Sequence, residues 1–308
     1  MVVSYESRAQ LRGCVSSLAR ETGVRVIVVD NASTDGSLES IIDLPVERIA
    51  LGENRGFAAG CNAGLRAGSS PAVLFLNPDA RIDAASIARL VDELARETAT
   101  GLVAPRIVDG HGHTEPSQRR FPALRSTYAR AFFLHRLLPR ATWVDELVRD
   151  ERAYAVAGSP DWVSGACMLV RRSALDAVGG LDEGFFLYGE DIDLARRLRD
   201  SGYDVRYLPA AVAVHTGGGS GPRQLPLLAE SRLRYLRKHH GRLTVAVARI
   251  GLALNELTHL VASRGGARQR LAHARALLVV AFDRAVEPVG AAARDASATF
   301  AGVGRRAG

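Results

Sequence analysis

Five short apolar runs, Val2 to Tyr5, Val24 to Asp30, Val46 to Leu51, Ala72 to Leu76 and Gly101 to Ala104, alternate with segments of helical periodicity over the first 105 residues. Apolar runs of this length read as strands buried on both faces, and strands separated by helices specify a mainly parallel central sheet flanked by helices. Ser7 is predicted to cap a helix that buries Leu11, Cys14, Val15 and Leu18 and stops at Gly23. Asp83 is predicted to cap another, with Ile87, Leu90, Val91 and Leu94 on one face. Such sheets bind ligands beyond the carboxyl ends of their strands, so the polar residues that follow each strand are the first candidates for function.

Beyond residue 105 the pattern changes. Residues 109–122 read as an irregular loop carrying Arg119 and Arg120. A second unit runs from Asp161 through a strand at Cys167 to Val170, a short helix from Ser173, a turn at Gly179-Gly180, an amphipathic helix from Asp191 to Ser201, and strands at Val205 to Leu208 and Val212 to His215. Gly217 to Gly221 reads as a flexible loop or hinge. The rest reads as helical with an Ala/Gly/Arg-rich end, 301–308, expected to be disordered. The chain therefore divides into 1–221, with halves 1–105 and 106–221, and a helical extension, 222–308.

Charge separates the same two parts. From Pro222 onward there are fifteen Lys/Arg against five Asp/Glu, which leaves 25 against 28 for residues 1–221. Arg232, Arg234, Arg237, Lys238 and Arg242 accompany Leu233, Leu236 and Leu243, so a helix there places a positive face near an apolar one. An anionic membrane surface and a solvated helix capping the main domain are equally good readings; nucleic acid ranks below both, because no recognition motif accompanies the charge. The longest apolar candidate, Ala276 to Phe282, is bracketed by Arg275 and Asp283, so no spanning segment of ~20 residues is expected. Met1 to Tyr5 has no export signal, which places the expected location in the cytoplasm. Cys14, Cys61 and Cys167 are odd in number and far apart, and read as small buried residues rather than a zinc or redox set. With 47% hydrophobic residues, the composition excludes a disordered chain.

Several segments carry chemistry. Asp30 to Ser37 is a polar turn opening a helix after the second strand; its acid can accept hydrogen bonds from a base or ribose, or cap the turn. A dinucleotide dehydrogenase would need a glycine fingerprint where Glu6-Ser7-Arg8-Ala9 stand. Gly56, Gly60 and Gly64, four apart, let a helix approach the sheet or a ligand closely. Asn77-Pro78-Asp79 places a carboxylate at the sheet edge, as a cap or as a ligand for a divalent ion. Glu190 and Asp191 at a helix start suit the macrodipole or a general base, and Asp193 with Arg196 and Arg197 fits ordinary helix pairings. Trp162 offers an aromatic face to a sugar ring or a core side chain.

Taken in order, the residues Val28 to Ser37, Asn54-Arg55-Gly56-Phe57-Ala58-Ala59-Gly60-Cys61-Asn62, Leu76-Asn77-Pro78-Asp79, Trp162-Val163-Ser164-Gly165-Ala166, Phe185 to Leu194 with Glu190-Asp191, and His215 resemble glycosyltransferase family 2, the inverting sugar-nucleotide transferases of the GT-A fold. The likeness covers about residues 1–221 and is strongest to the bacterial rhamnosyltransferase subgroup, whose members build cell-wall or surface polysaccharides on polyprenyl-diphosphate carriers.

The resemblance implies a Rossmann-like nucleotide-binding half with Ser4, Tyr5, Asp30, Asn31, Ser33, Asn54, Gly56, Asn62 and Asn77 at the donor nucleotide. It implies Asp79 and His215 as ligands of a divalent cation, Mg²⁺ or Mn²⁺, with Asn77 replacing the first acid of the family's metal signature. Arg120, Trp162, Ser164 and Gly165 would face the acceptor or its phosphate, with Arg119 as an alternative, and Asp191 with Glu190 would supply the general base. Glu190 would raise the proton affinity of Asp191 by repulsion. The implied reaction moves a sugar, L-rhamnose from dTDP-rhamnose, with galactofuranose or mannose donors as alternatives, to a saccharide or lipid-linked saccharide at the cytoplasmic face of the inner membrane; the basic charge of 222–308, outside the likeness, is what suggests a peripheral anchor there. A nucleotidyltransferase would show a phosphate loop after the first strand, which the sequence lacks. A non-catalytic sugar-nucleotide-binding protein would not need the Glu190-Asp191 pair.

Overall fold

The alternation at the amino-terminal end builds one side of an eight-stranded sheet. In chain order the elements are β1 (Val2–Ser4), α1 (Arg8–Ser16), β2 (Ile27–Asp30), β3 (Glu47–Ala50), α2 (Phe57–Ala67), β4 (Ala72–Leu76), β5 (Ala80–Ile82), α3 (Ala84–Arg96), β6 (Thr100–Val108), β7 (Gln118–Arg119), α4 (Leu124–Ala131), α5 (Leu134–Leu137), α6 (Arg152–Ala155), β8 (Trp162–Val163), β9 (Cys167–Arg171), α7 (Arg172–Val178), α8 (Glu190–Asp200), β10 (Asp204–His215), α9 (Leu225–His239), α10 (Arg242–Ala262) and α11 (Gly266–Phe282). This computed structural model describes residues 1–283 and 286, apart from 20, 139, 218–221 and 264. The segments 218–221 and 301–308, read above as flexible and as disordered, lie outside the described residues.

The strand order is β3-β2-β1-β4-β9-β6-β10-β5, with β7 and β8 as a separate pair. The pairs β3-β2, β2-β1, β1-β4 and β6-β10 are parallel, whereas β4-β9, β9-β6 and β10-β5 are antiparallel. The sheet is thus mixed, because β9 enters its centre in reverse. Since β9 opposes both β4 and β6, the strands β1, β2, β4, β6 and β10 all end at one edge, and β9 begins there.

Two apolar layers cover the sheet. On one side α1 and α3 bury Leu11, Cys14, Leu90 and Leu94 against Val28, Val103 and Leu169. On the other, α2, α7 and α8 bury Cys61, Leu175, Leu194 and Leu198 against Val29, Phe75 and Val170. Gly60 and Gly64 explain how α2 comes so near: a Cβ on Gly60 would lie 2.6 Å from Val3 Cγ1, and one on Gly64 2.8 Å from Met1. All three cysteines are free and buried, and burial pushes the thiols upward, Cys14 to about 12.

Some local expectations change. Asp83 caps α3, accepting from Ser86 N–H at 2.6 Å. Ser7 holds the cap position of α1, but its hydroxyl donates to Tyr5 O instead, and α1 ends at Ser16, well before Gly23. The turn from Asp30 to Ser37 opens no α-helix; one 3₁₀ turn, Glu39–Ile41, follows it. Val205 to Leu208 and Val212 to His215 form a single strand with an irregularity between Leu208 and Val212.

The extension folds against the main body, and several of its charges pair with acids. Arg232 pairs with Glu146, Lys238 with Asp182 and Asp193, and Arg237 with Asp283, while Arg234 lies over the Phe185 ring at 5.5 Å. The positive face expected to meet a membrane is thus largely consumed within the chain. The expectation that no segment is long and apolar enough to span a bilayer is also corrected: α10 has 21 residues and a mean hydropathy of 1.3 over 18 of them. The intervening polar and small residues, Thr244, Arg249, Gly251 and Asn255, hid it as an apolar run.

Candidate active site

The common carboxyl edge gathers the polar residues that follow each strand. Ser4 pairs in register with Asp30, both closed to solvent. The Asp30 carboxylate accepts Ser33 N–H at 2.8 Å and Ser33 Oγ–H at 2.6 Å, and Ser33 Oγ in turn accepts Glu6 N–H at 2.9 Å. Glu6, at φ 50°, accepts both Thr34 N–H and its hydroxyl. The loop after β1 and the turn after β2 are therefore one hydrogen-bonded unit. Ser4 Oγ is buried within it without a hydrogen-bond partner among the described residues. Tyr5 follows Ser4, half-buried.

The five remaining nucleotide-site candidates, Asn31, Asn54, Gly56, Asn62 and Asn77, all have structural partners. Asn31 donates to Gly56 O at 2.8 Å and accepts Arg55 N–H, and Asn54 accepts Gly56 N–H, so these two hold the loop before α2. Gly56, at φ 87°, sits where a Cβ would strike the Phe186 backbone. Asn62 uses its whole amide on Leu181 and Glu183, behind the edge. Asn77 N–H donates to Ala166 O at 2.9 Å, which ties the end of β4 to the loop before β9.

Asp79 and His215 meet directly. His215 Nε2 lies 3.3 Å from Asp79 Oδ1, and its Nδ1 lies 3.2 Å from Glu115 Oε2. The antiparallel pairing of His215 with Ala80 fixes the approach, and Thr216 donates twice to Asp79 O. Asp79 raises the imidazole above its ordinary value against the opposing effect of burial, with Glu115 assisting, and the imidazole holds Asp79 low. Asp79 Oδ1 is buried without a donor of hydrogen-bond geometry among the described residues. A carboxylate oxygen facing an imidazole nitrogen, whose other nitrogen is held by a second carboxylate, is a donor set that a divalent cation fits. Among the described residues no group of three His, Cys, Asp or Glu side chains gathers into a complete cage, so two protein ligands would leave positions for diphosphate oxygens. Glu115 was not foreseen; it lies in a loop without periodicity.

The acids of α8 form the third cluster. Asp191 accepts Gly165 N–H at 3.2 Å through Oδ2 and Ile192 N–H at 2.8 Å through Oδ1. Burial raises its carboxyl above the ordinary range, opposed by those two N–H groups and by the Arg119 guanidinium. Glu190 is 7% exposed, and its Oε2 has no hydrogen-bond partner among the described residues. Burial, and secondarily the Asp191 charge, raises Glu190 strongly. For both acids burial is the first cause of the rise.

Arg119 ends β7 and Arg120 follows it, and the two guanidinium groups take different surroundings. Arg119 lies over the Trp162 ring at 5.3 Å. Arg120 turns toward Asp145 O and lines a cavity of about 760 Å³ with Arg140, Arg149 and Arg152. Trp162 Nε1–H donates to Arg120 O, and Ser164 N–H to Ser117 O, which bind the β7–β8 pair to the loop carrying Gly165. Arg119, rather than Arg120, shares the neighbourhood of Asp191.

Known proteins resemble this chain in sequence and in fold. The model of glycosyl transferase family 2 matches residues 1–179. The N-acetylglucosaminyl-diphospho-decaprenol L-rhamnosyltransferase of Mycobacterium tuberculosis is 35% identical over 212 residues, covering 65% of this chain and 68% of that one. Among solved structures, a mannosyltransferase from Pyrobaculum calidifontis in complex with GDP-Man and Mn²⁺ superposes with a TM-score of 0.53 at 18% identity, over 97% of this chain and 79% of that one. The glucosyl-3-phosphoglycerate synthase of Mycobacterium tuberculosis, in complex with Mn²⁺ and UDP, gives 0.52 at 16% identity over 77% of each chain. These structures share the GT-A fold.

Proposed function

The chain belongs to glycosyl transferase family 2, and on that premise we propose that it is an inverting, divalent-cation-dependent transferase that moves L-rhamnose from dTDP-rhamnose to a saccharide linked to a lipid diphosphate. The observation that carries the reading is the placement of Asp191, pinned by Gly165 N–H and Ile192 N–H, at the edge where Asp30 and the Asp79-His215 pair also lie. The choice of sugar and of acceptor is supported by the name of the Mycobacterium tuberculosis relative.

Residues 1–105 would hold the nucleotide, with Ser4, Tyr5 and the Asp30-Ser33 unit closing around base and ribose. Asp79 and His215 would hold the cation, which when bound supplies positive charge to the departing diphosphate. Asp191 would take the proton of an acceptor hydroxyl as that oxygen bonds to the anomeric carbon and the bond to the diphosphate breaks on the opposite side. Two N–H donors fix its orientation, and its raised proton affinity brings it nearer the working pH of a base. Glu190, neutral behind it, keeps a second negative charge away. Trp162 and Arg119 would line the acceptor side, the ring against a sugar face and the guanidinium against developing negative charge.

The test is direct. Protein supplied with Mn²⁺, dTDP-rhamnose and a lipid-diphosphate N-acetylglucosamine should yield a rhamnosylated product of inverted anomeric configuration by NMR. Transfer only from another sugar nucleotide would replace the donor, and retention of configuration would remove the single-displacement mechanism.

A further inference from the structure

We propose that the C-terminal helices dock on the surface of an anionic phospholipid bilayer through the outward face of α10 and the arginine-rimmed groove beside its first turns. Leu243, Ala246, Ile250, Leu257 and Val261 recur at intervals of three, four and seven, which on a helix of 100° per residue confines them to a sector of about 60°. Leu243 is 80% exposed, Ile250 64% and Val261 77%. From Leu243 to Val261 the stripe runs about 27 Å at 1.5 Å per residue. Scattered exposed leucines are ordinary, but a continuous stripe along one helix marks an interaction surface.

The opposite face of α10 is already occupied, which fixes how the helix lies. Ala248 and Gly251 are buried; a Cβ on Gly251 would come within 3.0 Å of Thr127 and Tyr128, and Tyr128 Oη–H donates to Val247 O at 2.8 Å. The helix is therefore held along the body of the protein, and its free face meets a bilayer side-on.

Charge identifies the partner. The groove of about 620 Å³ is lined by Arg237, His240, Arg242 and Arg249 together with the aliphatic Val245 and Ile250. Arg249 is held by Val280 O and Ala281 O, both at 2.6 Å, and neither it nor the exposed Arg242 has an ion pair among the described residues. His240 Nε2 is buried without a hydrogen-bond partner among them. Across α10 and α11 the arginines Arg242, Arg249, Arg268, Arg270 and Arg275 face a single carboxylate, Glu256, which is spent on His273 at 2.8 Å. An apolar stripe bordered by Arg242 and Arg249, with the exposed Asp283 spent on Arg237, is the pattern that inserts among acyl chains while its arginines meet anionic headgroups.

The full chain, sedimented with vesicles of equal phosphatidylglycerol and phosphatidylcholine in 0.1 M salt, should bind at least tenfold more strongly than to phosphatidylcholine alone. The double variant Leu243→Asp/Ile250→Asp should lose at least tenfold of that partition at an unchanged thermal midpoint. Arg242→Glu should weaken binding to the anionic vesicles only. Alkaline carbonate should release the bound protein, and protein that resists release would overturn the side-on arrangement in favour of insertion. Equal binding by wild type and the double variant, absence of wild-type binding, or a dimer in solution that the double variant dissolves would overturn the proposal. Binding is read without donor or acceptor, so its failure is separate from any failure of the catalytic reading.

Discussion

His239 Nε2 lies 2.7 Å from Oδ1 of the fully buried Asp193, joining the last turn of α9 to the first turn of α8. Lys238 reaches the same oxygen at 2.8 Å and Arg197 the other at 2.7 Å. Ser231 Oγ–H on α9 donates to Leu187 O, just before Glu190 and Asp191. The extension thus braces the segment that carries the proposed base. Asp193→Asn removes the charge that three basic side chains share, and breaking such a buried set costs about 3–5 kcal/mol. Thermal unfolding should show a clearly lowered midpoint. A midpoint equal to wild type would mean that the extension does not brace α8.

Gly217 adjoins the Asp79-His215 pair so closely that a Cβ there would collide with Asp79 Oδ2 and lie 3.2 Å from His215 Nε2. Gly217→Ala should therefore raise the Mn²⁺ concentration needed for half-maximal transfer by roughly tenfold or more while leaving global stability near wild type. Metal titration of the transfer rate checks it; an unchanged titration would detach this pair from the cation.

Glu190 connects pH with stability. Its folded proton affinity is raised by burial and by Asp191, so the folded chain keeps a proton that the unfolded chain releases in the ordinary carboxylate range. Stability should fall as pH rises from that range toward the raised folded value and then level off. Glu190→Gln, uncharged at every pH, should flatten this decline in urea unfolding measured across the interval. An unaltered slope would contradict a buried neutral Glu190.

Arg119 and Arg120 are adjacent in sequence yet face different surroundings, so their variants should differ. Arg119→Met should lower kcat by about 10- to 100-fold, consistent with losing a charge-assisted contact near the reacting groups. Arg120→Met should change it by less than about threefold, given that its guanidinium turns away toward Asp145. Steady-state kinetics of the pair decides, and equal losses would refute the division between the Trp162 side and the Asp145 side.

Much of this was legible in the sequence because it obeys local rules. Ala72 to Leu76 is a strand with the bounds its composition suggests, and Asp83 caps α3 because an Asp before an apolar periodicity offers the free N–H groups an acceptor. The edge position of Asp30 and Asp79 follows from the alternation of strands and helices. What escaped depends on tertiary contact. Nothing near Glu115 announces that it will hold His215 one hundred residues away. The inward pairing of Lys238 and Arg232 depends on Asp193 and Glu146 in distant segments, so their charges looked available for a membrane. Asn62 carried a family expectation of nucleotide contact, whereas its amide closes on Leu181, a contact set by how α2 packs beside the turn at Gly180.

The most direct measurement compares transfer with donor binding in Asp191→Asn, which keeps the shape of the side chain and removes its capacity to accept a proton. Turnover should fall by about 10²- to 10⁴-fold, while the calorimetric affinity for dTDP-rhamnose in the presence of Mn²⁺ stays within about threefold of wild type. Turnover close to wild type in that variant would contradict the assignment of Asp191 as the base.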